Sequence, residues 1–139
     1  MQRVLVGLLG IGLLLGLAAC APAPPEPIEV QVTLNEFGIE STMTSFKVGQ
    51  PYHLVINNAG GLNHELMIME PLMSDMEMSM EEMDEIALAM VEEDDLAPGS
   101  TMTLDITFAG SDANSNLEFA CHVTGHYEAG MKLPITVEQ

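Results

Sequence analysis

The sequence predicts an all-β domain, an antiparallel β-sandwich interrupted by one inserted acidic, methionine-rich helix. Two observations predict it. Short segments alternate apolar and polar residues and are separated by Gly, Pro and Asn turns, which is the pattern of half-buried strands stacked in two sheets. Residues 72–95 break that pattern, with Met80, Met83, Ile86, Ala87, Met90 and Val91 recurring at three- and four-residue steps, the period of a helix. A chain of 139 residues fits one such domain.

The chain opens on MQRVLVGLLGIGLLLGLAAC. Arg3 is a short positive region, and an uncharged apolar run from Val4 to Leu17 follows it, ending in small residues. Residues 1–19 therefore read as a secretory signal rather than part of the fold; the apolar run is short for a full bilayer span. Leu17-Ala18-Ala19-Cys20 resembles the bacterial lipobox, which implies lipidation of Cys20 at the mature N-terminus and an extracytoplasmic protein held to a bacterial membrane by that lipid alone. Residues 20–27 then form a linker, its four prolines in Ala21–Pro27 favouring an extended, semi-rigid spacer.

The domain proper is expected over residues 28–139. Ile28 to Leu34 alternates with β-branched residues and reads as a strand, and Ser45 to Val48 as a short one before the turn Gly49-Gln50-Pro51. Tyr52 to Asn57 is a strand with Tyr52, Leu54 and Ile56 on one face and His53, Val55 and Asn57 on the other. Asn58 to Gly61 is a loop, and His64 to Met69 an apolar strand. The insertion, about 72–96, holds a helix that starts near the capping box Ser79-Met80-Glu81-Glu82 and is expected to end around Glu93. Glu92 to Asp95 would oppose the helix dipole at that end. Thr101 to Phe108, Leu117 to Cys121 and Leu133 to Val137 complete the strands.

Formal net charge is −18, with Arg3, Lys47 and Lys132 the fixed cations. Such a chain does not bind nucleic acid by neutralising phosphates. It is repelled by anionic headgroups and attracted to basic protein surfaces, although acidity also suits high-salt surroundings. Two cysteines, Cys20 and Cys121, would permit a disulfide, but each has a better use.

Chemistry concentrates in Cys121-His122-Val123-Thr124-Gly125-His126-Tyr127-Glu128-Ala129-Gly130-Met131. A thiolate, an imidazole and a thioether recur there at five-residue intervals. Soft sulfur with imidazole suits copper, and two His with one Cys and a long axial Met is the ligand set of a blue-copper electron-transfer site. His126 can meet Cys121 across the Thr124-Gly125 bend. His64 follows a Gly-Gly loop at the start of a strand, where an upstream ligand can reach a downstream loop at one end of a sandwich. His122 neighbours Cys121, and adjacent side chains in an extended segment point to opposite faces. His53 lies inside a strand and reads as packed or exposed. Zinc is the competing metal, since Cys-His-His is also a zinc set, but a methionine fourth position disfavours it. A Cys–His hydrolase lacks an oxyanion motif and an orienting acid, and without paired His-x-His motifs there is no second copper centre for catalysis.

His64 followed by Cys121-x4-His126-x4-Met131 resembles the cupredoxin family of type 1 copper proteins, and the wording from Phe119 to Met131, with Asn63-His64-Glu65 upstream, is similar to its bacterial plastocyanin/azurin-like branch. The similarity covers residues 28–71 and 97–139; the acidic Met-rich insertion departs from it. The resemblance implies a Greek-key sandwich holding one copper ion, with His64, Cys121 and His126 in the trigonal plane and Met131 as the weak axial ligand. The function it implies is single-electron transfer by Cu(I)/Cu(II) cycling with a redox partner that has a basic docking face, and not enzymatic catalysis. The alternative is copper binding for resistance, storage or delivery.

Seven methionines fall between Met67 and Met83. Met67 and Met69 fit a strand, and Met80, Met83 and Met90 the buried stripe of the helix, where methionine fills gaps. Met73, Met76 and Met78 remain in an acidic run. Thioethers select Cu(I), so these three are a candidate secondary Cu(I) site.

Overall fold

The computed structural model describes residues 23–36, 38–72 and 78–139. The expected signal, the lipidated Cys20, and Met73 and Met76 of the candidate Cu(I) site lie outside the described residues.

The strands are β1 (Ile28–Asn35), β2 (Gly38–Ser41), β3 (Ser45–Lys47), β4 (Pro51–Asn58), β5 (Leu66–Met69), β6 (Ala89–Val91), β7 (Thr101–Thr107), β8 (Leu117–Ala120) and β9 (Lys132–Glu138), with helix α1 (Met80–Ile86) between β5 and β6. They form two sheets, one in the order β2-β1-β4-β7 and the other β3-β9-β8-β5-β6. The expected sandwich is present, but it is not wholly antiparallel. β1 pairs with β4, and β3 with β9, in parallel. The reason is the path of the chain: it leaves the first sheet after β2, contributes β3 to the second, and returns as β4 beside β1. A return through the other sheet is the crossover that parallel pairing requires.

Alternation places the core as expected in β4, where Tyr52, Leu54 and Ile56 are buried. They meet Val30, Val32 and Leu34 of β1 and, from the facing sheet, Leu66, Ile68, Phe119, Ile135 and Val137. At the centre, Phe46 packs against Tyr52, Phe108 and Phe119, with ring centroids 4.9, 5.2 and 5.9 Å away.

β5 is buried on both faces. Leu66 and Ile68 enter the main core, while Met67 and Met69 point outward and pack with Met83 of α1. The insertion is thus a cover for the outer face of the five-stranded sheet, with Leu72, Met78 and Met90 packed around it. Met80 does not join that stripe; it is exposed.

Ser79 caps α1 as expected: its hydroxyl accepts from the Glu82 backbone, and the Glu82 carboxylate accepts from the Ser79 N–H. The helix ends at Ile86, however, not near Glu93. The Leu88 N–H donates to the Ile68 carbonyl at 2.8 Å, and Ala89 to Val91 then pair with β5. An open sheet edge with its unpaired backbone groups prevails over a local helical spacing. The acidic run therefore does not lie at the C-terminal end of α1. Glu93–Asp95 makes a separate short 3-10 turn that leads into the fully buried Leu96.

Candidate metal centre

Two segments converge at one end of the sandwich. The first is the β4–β5 connection. Asn58 is fully buried and acts as its internal brace. Its amide donates to the Leu62 carbonyl at 2.8 Å and the Leu96 carbonyl at 2.7 Å, and its oxygen accepts from the Gly60 N–H at 2.9 Å. The Leu96 carbonyl also accepts from the His64 N–H at 3.2 Å, so the turn after Glu93–Asp95 fixes the backbone of His64. The second segment runs from β8 to β9. Gly125 at φ 86° allows the chain to reverse, His126 donates to the Val123 carbonyl, and Met131 donates to the His126 carbonyl at 3.0 Å. Cys121 in turn donates to the Met131 carbonyl at 3.1 Å, closing the loop on itself.

The result brings His64, Cys121 and His126 together. The Cys121 sulfur lies 3.4 Å from Nδ1 of His126 and 3.9 Å from Nδ1 of His64, and the two Nδ1 atoms are 3.2 Å apart. Cys121 and His64 are fully buried and His126 is half-buried at the rim. Met131 is fully buried and belongs to the same packed cluster as Cys121. His122 is turned away: its ring stacks on Tyr127, with centroids 4.4 Å apart and an 18° interplanar angle. His53 stands on the outer face of the other sheet, its Nδ1 2.5 Å from Asp105.

Burial pushes the Cys121 thiol up, against hydrogen bonds from the backbone of Glu65 and Val123 toward the sulfur. Burial, and then the neighbouring His126, push His64 down, so its imidazole is held neutral with a lone pair to offer. A metal binding here displaces the thiol proton.

Besides Asn58, sequence reasoning passed over Glu65, Tyr127 and Glu36, which also build the site. Glu65 is buried and its carboxylate accepts from the His122 N–H at 2.6 Å, tying the His64 segment to the Cys121 segment. Burial raises its pKa, opposed by that hydrogen bond. The Tyr127 hydroxyl donates to buried Glu118 at 2.6 Å, and Lys132 lies over the Tyr127 ring at 4.0 Å. Burial, followed by the Glu118 carboxylate, pushes the phenol up to about 12. Glu36 accepts from the Gly61 N–H. The signal available for Glu65 and Tyr127 was their place beside His64 and His126 in the two ligand motifs; Glu36 carried none without the fold.

The residues fit a transition-metal ion. Metal–donor bonds of roughly 2.0–2.3 Å meeting at open angles span roughly 3–4 Å between donors, and the three separations in the site fall in that range. One thiolate, two imidazoles and a buried thioether nearby suit copper over harder cations.

No protein-family model and no curated protein sequence matches the chain. Solved structures do. The reduced auracyanin of Roseiflexus castenholzii superposes with a TM-score of 0.58 at 17% identity, over 83% of this chain and 99% of that one. Rusticyanin from Thiobacillus ferrooxidans gives 0.58 at 14% identity, over 81% and 79%. An azurin from Methylomonas sp. strain J gives 0.58 at 11% identity, over 81% and 98%. The fold is the cupredoxin fold. In this cupredoxin sandwich the three donors sit where the β4–β5 connection faces the β8–β9 loop, and α1 covers the outer face of the five-stranded sheet.

Proposed function

We propose that the protein is a type 1 copper protein that carries single electrons outside the cytoplasm, tethered to a bacterial membrane through a lipid on Cys20. The observation that carries the copper reading is the triangle of one sulfur and two Nδ1 atoms, 3.2 to 3.9 Å apart, with Cys121 and His64 buried and His126 at the rim. His64, Cys121 and His126 would hold the ion, with the buried thioether of Met131 as a further, weaker donor. The ion supplies a Cu(I)/Cu(II) couple. Thiolate favours the reduced state and imidazole suits both, so little rearrangement accompanies the change.

The chain's own residues do the rest. Glu65 and the brace around Asn58 hold the two ligand segments in register, so the donors are positioned before metal arrives. Burial of Cys121 and His64 excludes water from the sulfur. His126 stands at the rim, half-buried, where an electron has the shortest way out.

Copper-loaded protein is expected to show a reversible one-electron wave and to keep its metal through repeated cycles in the presence of a Cu(I) chelator. Loss of copper on each reduction would instead favour resistance, storage or delivery. The acidic face supports a basic partner: Glu81, Glu82, Asp84 and Glu85 on α1 and Glu92 to Asp95 beyond it are all exposed. The Leu96 carbonyl, bonded to His64, connects that face to the site. Electron transfer to a basic partner should therefore slow steeply between low and physiological ionic strength, where the screening length shrinks to about 8 Å. A salt-independent rate would remove the docking role.

A further inference from the structure

One donor atom of the site is unsatisfied. His64 turns Nδ1 to Cys121 and His126, and its other ring nitrogen, Nε2, is buried and finds no hydrogen-bond partner among the described residues. A metal-bound imidazole almost always donates that second N–H to a carboxylate, a carbonyl or water, which fixes the ring and raises its basicity. The residue placed to accept it is Glu36, from the turn after β1.

Two observations converge on this pairing. The Glu36 carboxylate is anchored beside the site, because Oε1 accepts the Gly61 N–H. Gly60 then supplies the opening: a Cβ built on it would lie 2.9 Å from Glu36 Oε1 and 2.9 Å from His64 Nε2. Carboxylate and ring nitrogen thus flank the same small space, which is open because residue 60 has no side chain. A side chain there would separate the two groups.

We propose that Glu36 is a positioning residue of the metal centre, its carboxylate accepting the His64 Nε2–H when Nδ1 holds the metal. The proposal rests on the copper reading. A carboxylate in this role orients the imidazole and adds a negative charge behind it, which favours Cu(II) over Cu(I). Removing Glu36 therefore lowers affinity for Cu(II) and raises the reduction potential. Loss of such a partner typically costs 10–100-fold in metal affinity.

The test uses the full chain loaded with Cu(I), which is diamagnetic, and compares wild type with Glu36→Gln and Glu36→Leu. In the wild type, imidazole-selective 1H–15N spectra should show a His64 Nε2–H slow to exchange with water. Glu36→Leu should abolish that slow exchange, lower Cu(II) affinity by roughly 10–100-fold in chelator competition, and raise the potential. Glu36→Gln, which keeps an acceptor but not the charge, should retain slow exchange with a smaller loss of affinity. A role confined to bracing Gly61 predicts an unchanged His64 resonance in all three. If the wild type binds copper with its thiolate band while Glu36→Leu keeps both slow exchange and affinity, the assignment of Glu36 is wrong and the copper reading stands. If the wild type binds no copper, both fall together.

Discussion

Cys121→Ser is expected to abolish the intense visible band of the copper-loaded protein. That band arises from charge transfer between a thiolate and Cu(II), and Cys121 is the cysteine that the fold brings to both imidazoles. A serine hydroxyl is a harder donor and is not ionised near neutral pH, so the copper that still binds should be pale and easily removed. The same substitution reports on stability. An ion that binds only the folded state adds RT ln(1 + [L]/Kd), about 4 kcal/mol at a thousandfold excess over Kd. Wild-type protein should therefore melt at a clearly higher temperature with copper than without, and the variant should lose most of that gain. The metal-free proteins should differ far less, by about 1–3 kcal/mol for a hydroxyl placed in a fully buried site. A variant that retains the full band would overturn the type 1 assignment.

The strand faces were legible because half-burial imposes a period of two, and β4 shows it residue by residue. The candidate donor cluster was legible for a different reason. Cys121, His126 and Met131 lie on one loop, so spacing alone brings them near each other, and His64 stood at a loop–strand junction of the kind that builds sites. What local pattern did not carry was everything decided by a distant partner. Ala87 to Val91 continues a helical spacing, yet the open edge of β5 captures Ala89 to Val91 as β6. The parallel pairing of β1 with β4 depends on where the intervening strands go, which no stretch of sequence encodes. Glu36, Glu65 and Asn58 look like ordinary polar residues of turns and loops. Their roles appear only when their acceptors and donors arrive from other segments: Gly61 for Glu36, His122 for Glu65, Leu96 for Asn58. The candidate metal donors were chemically conspicuous; the groups that hold them in place were not.

Phe46→Ala should be the most destabilising single change in the core, at about 3–5 kcal/mol. Phe46 sits on β3, a strand of three residues at the edge of its sheet, so few backbone hydrogen bonds secure the strand. What holds β3 is the side chain. It is fully buried and meets Tyr52 of β4, Phe108 after β7 and Phe119 of β8, and so joins the two sheets through one ring. The Tyr52 hydroxyl adds a second tie by accepting from the Lys47 N–H at 2.8 Å, a bond that depends on Phe46 to keep Tyr52 in position. Truncation removes ring contacts on three sides and leaves a cavity that Tyr52 cannot close without giving up that bond. Since small domains are stable by only about 5–15 kcal/mol, the metal-free variant should unfold at a far lower urea concentration with an unchanged slope. Its copper band should keep its position, because the ring contacts of Phe46 run to Tyr52, Phe108 and Phe119 and not to His64 or His126. A loss below about 1 kcal/mol would mean that the core repacks around the gap, and that β3 is held by its pairing with β9 rather than by its phenylalanine.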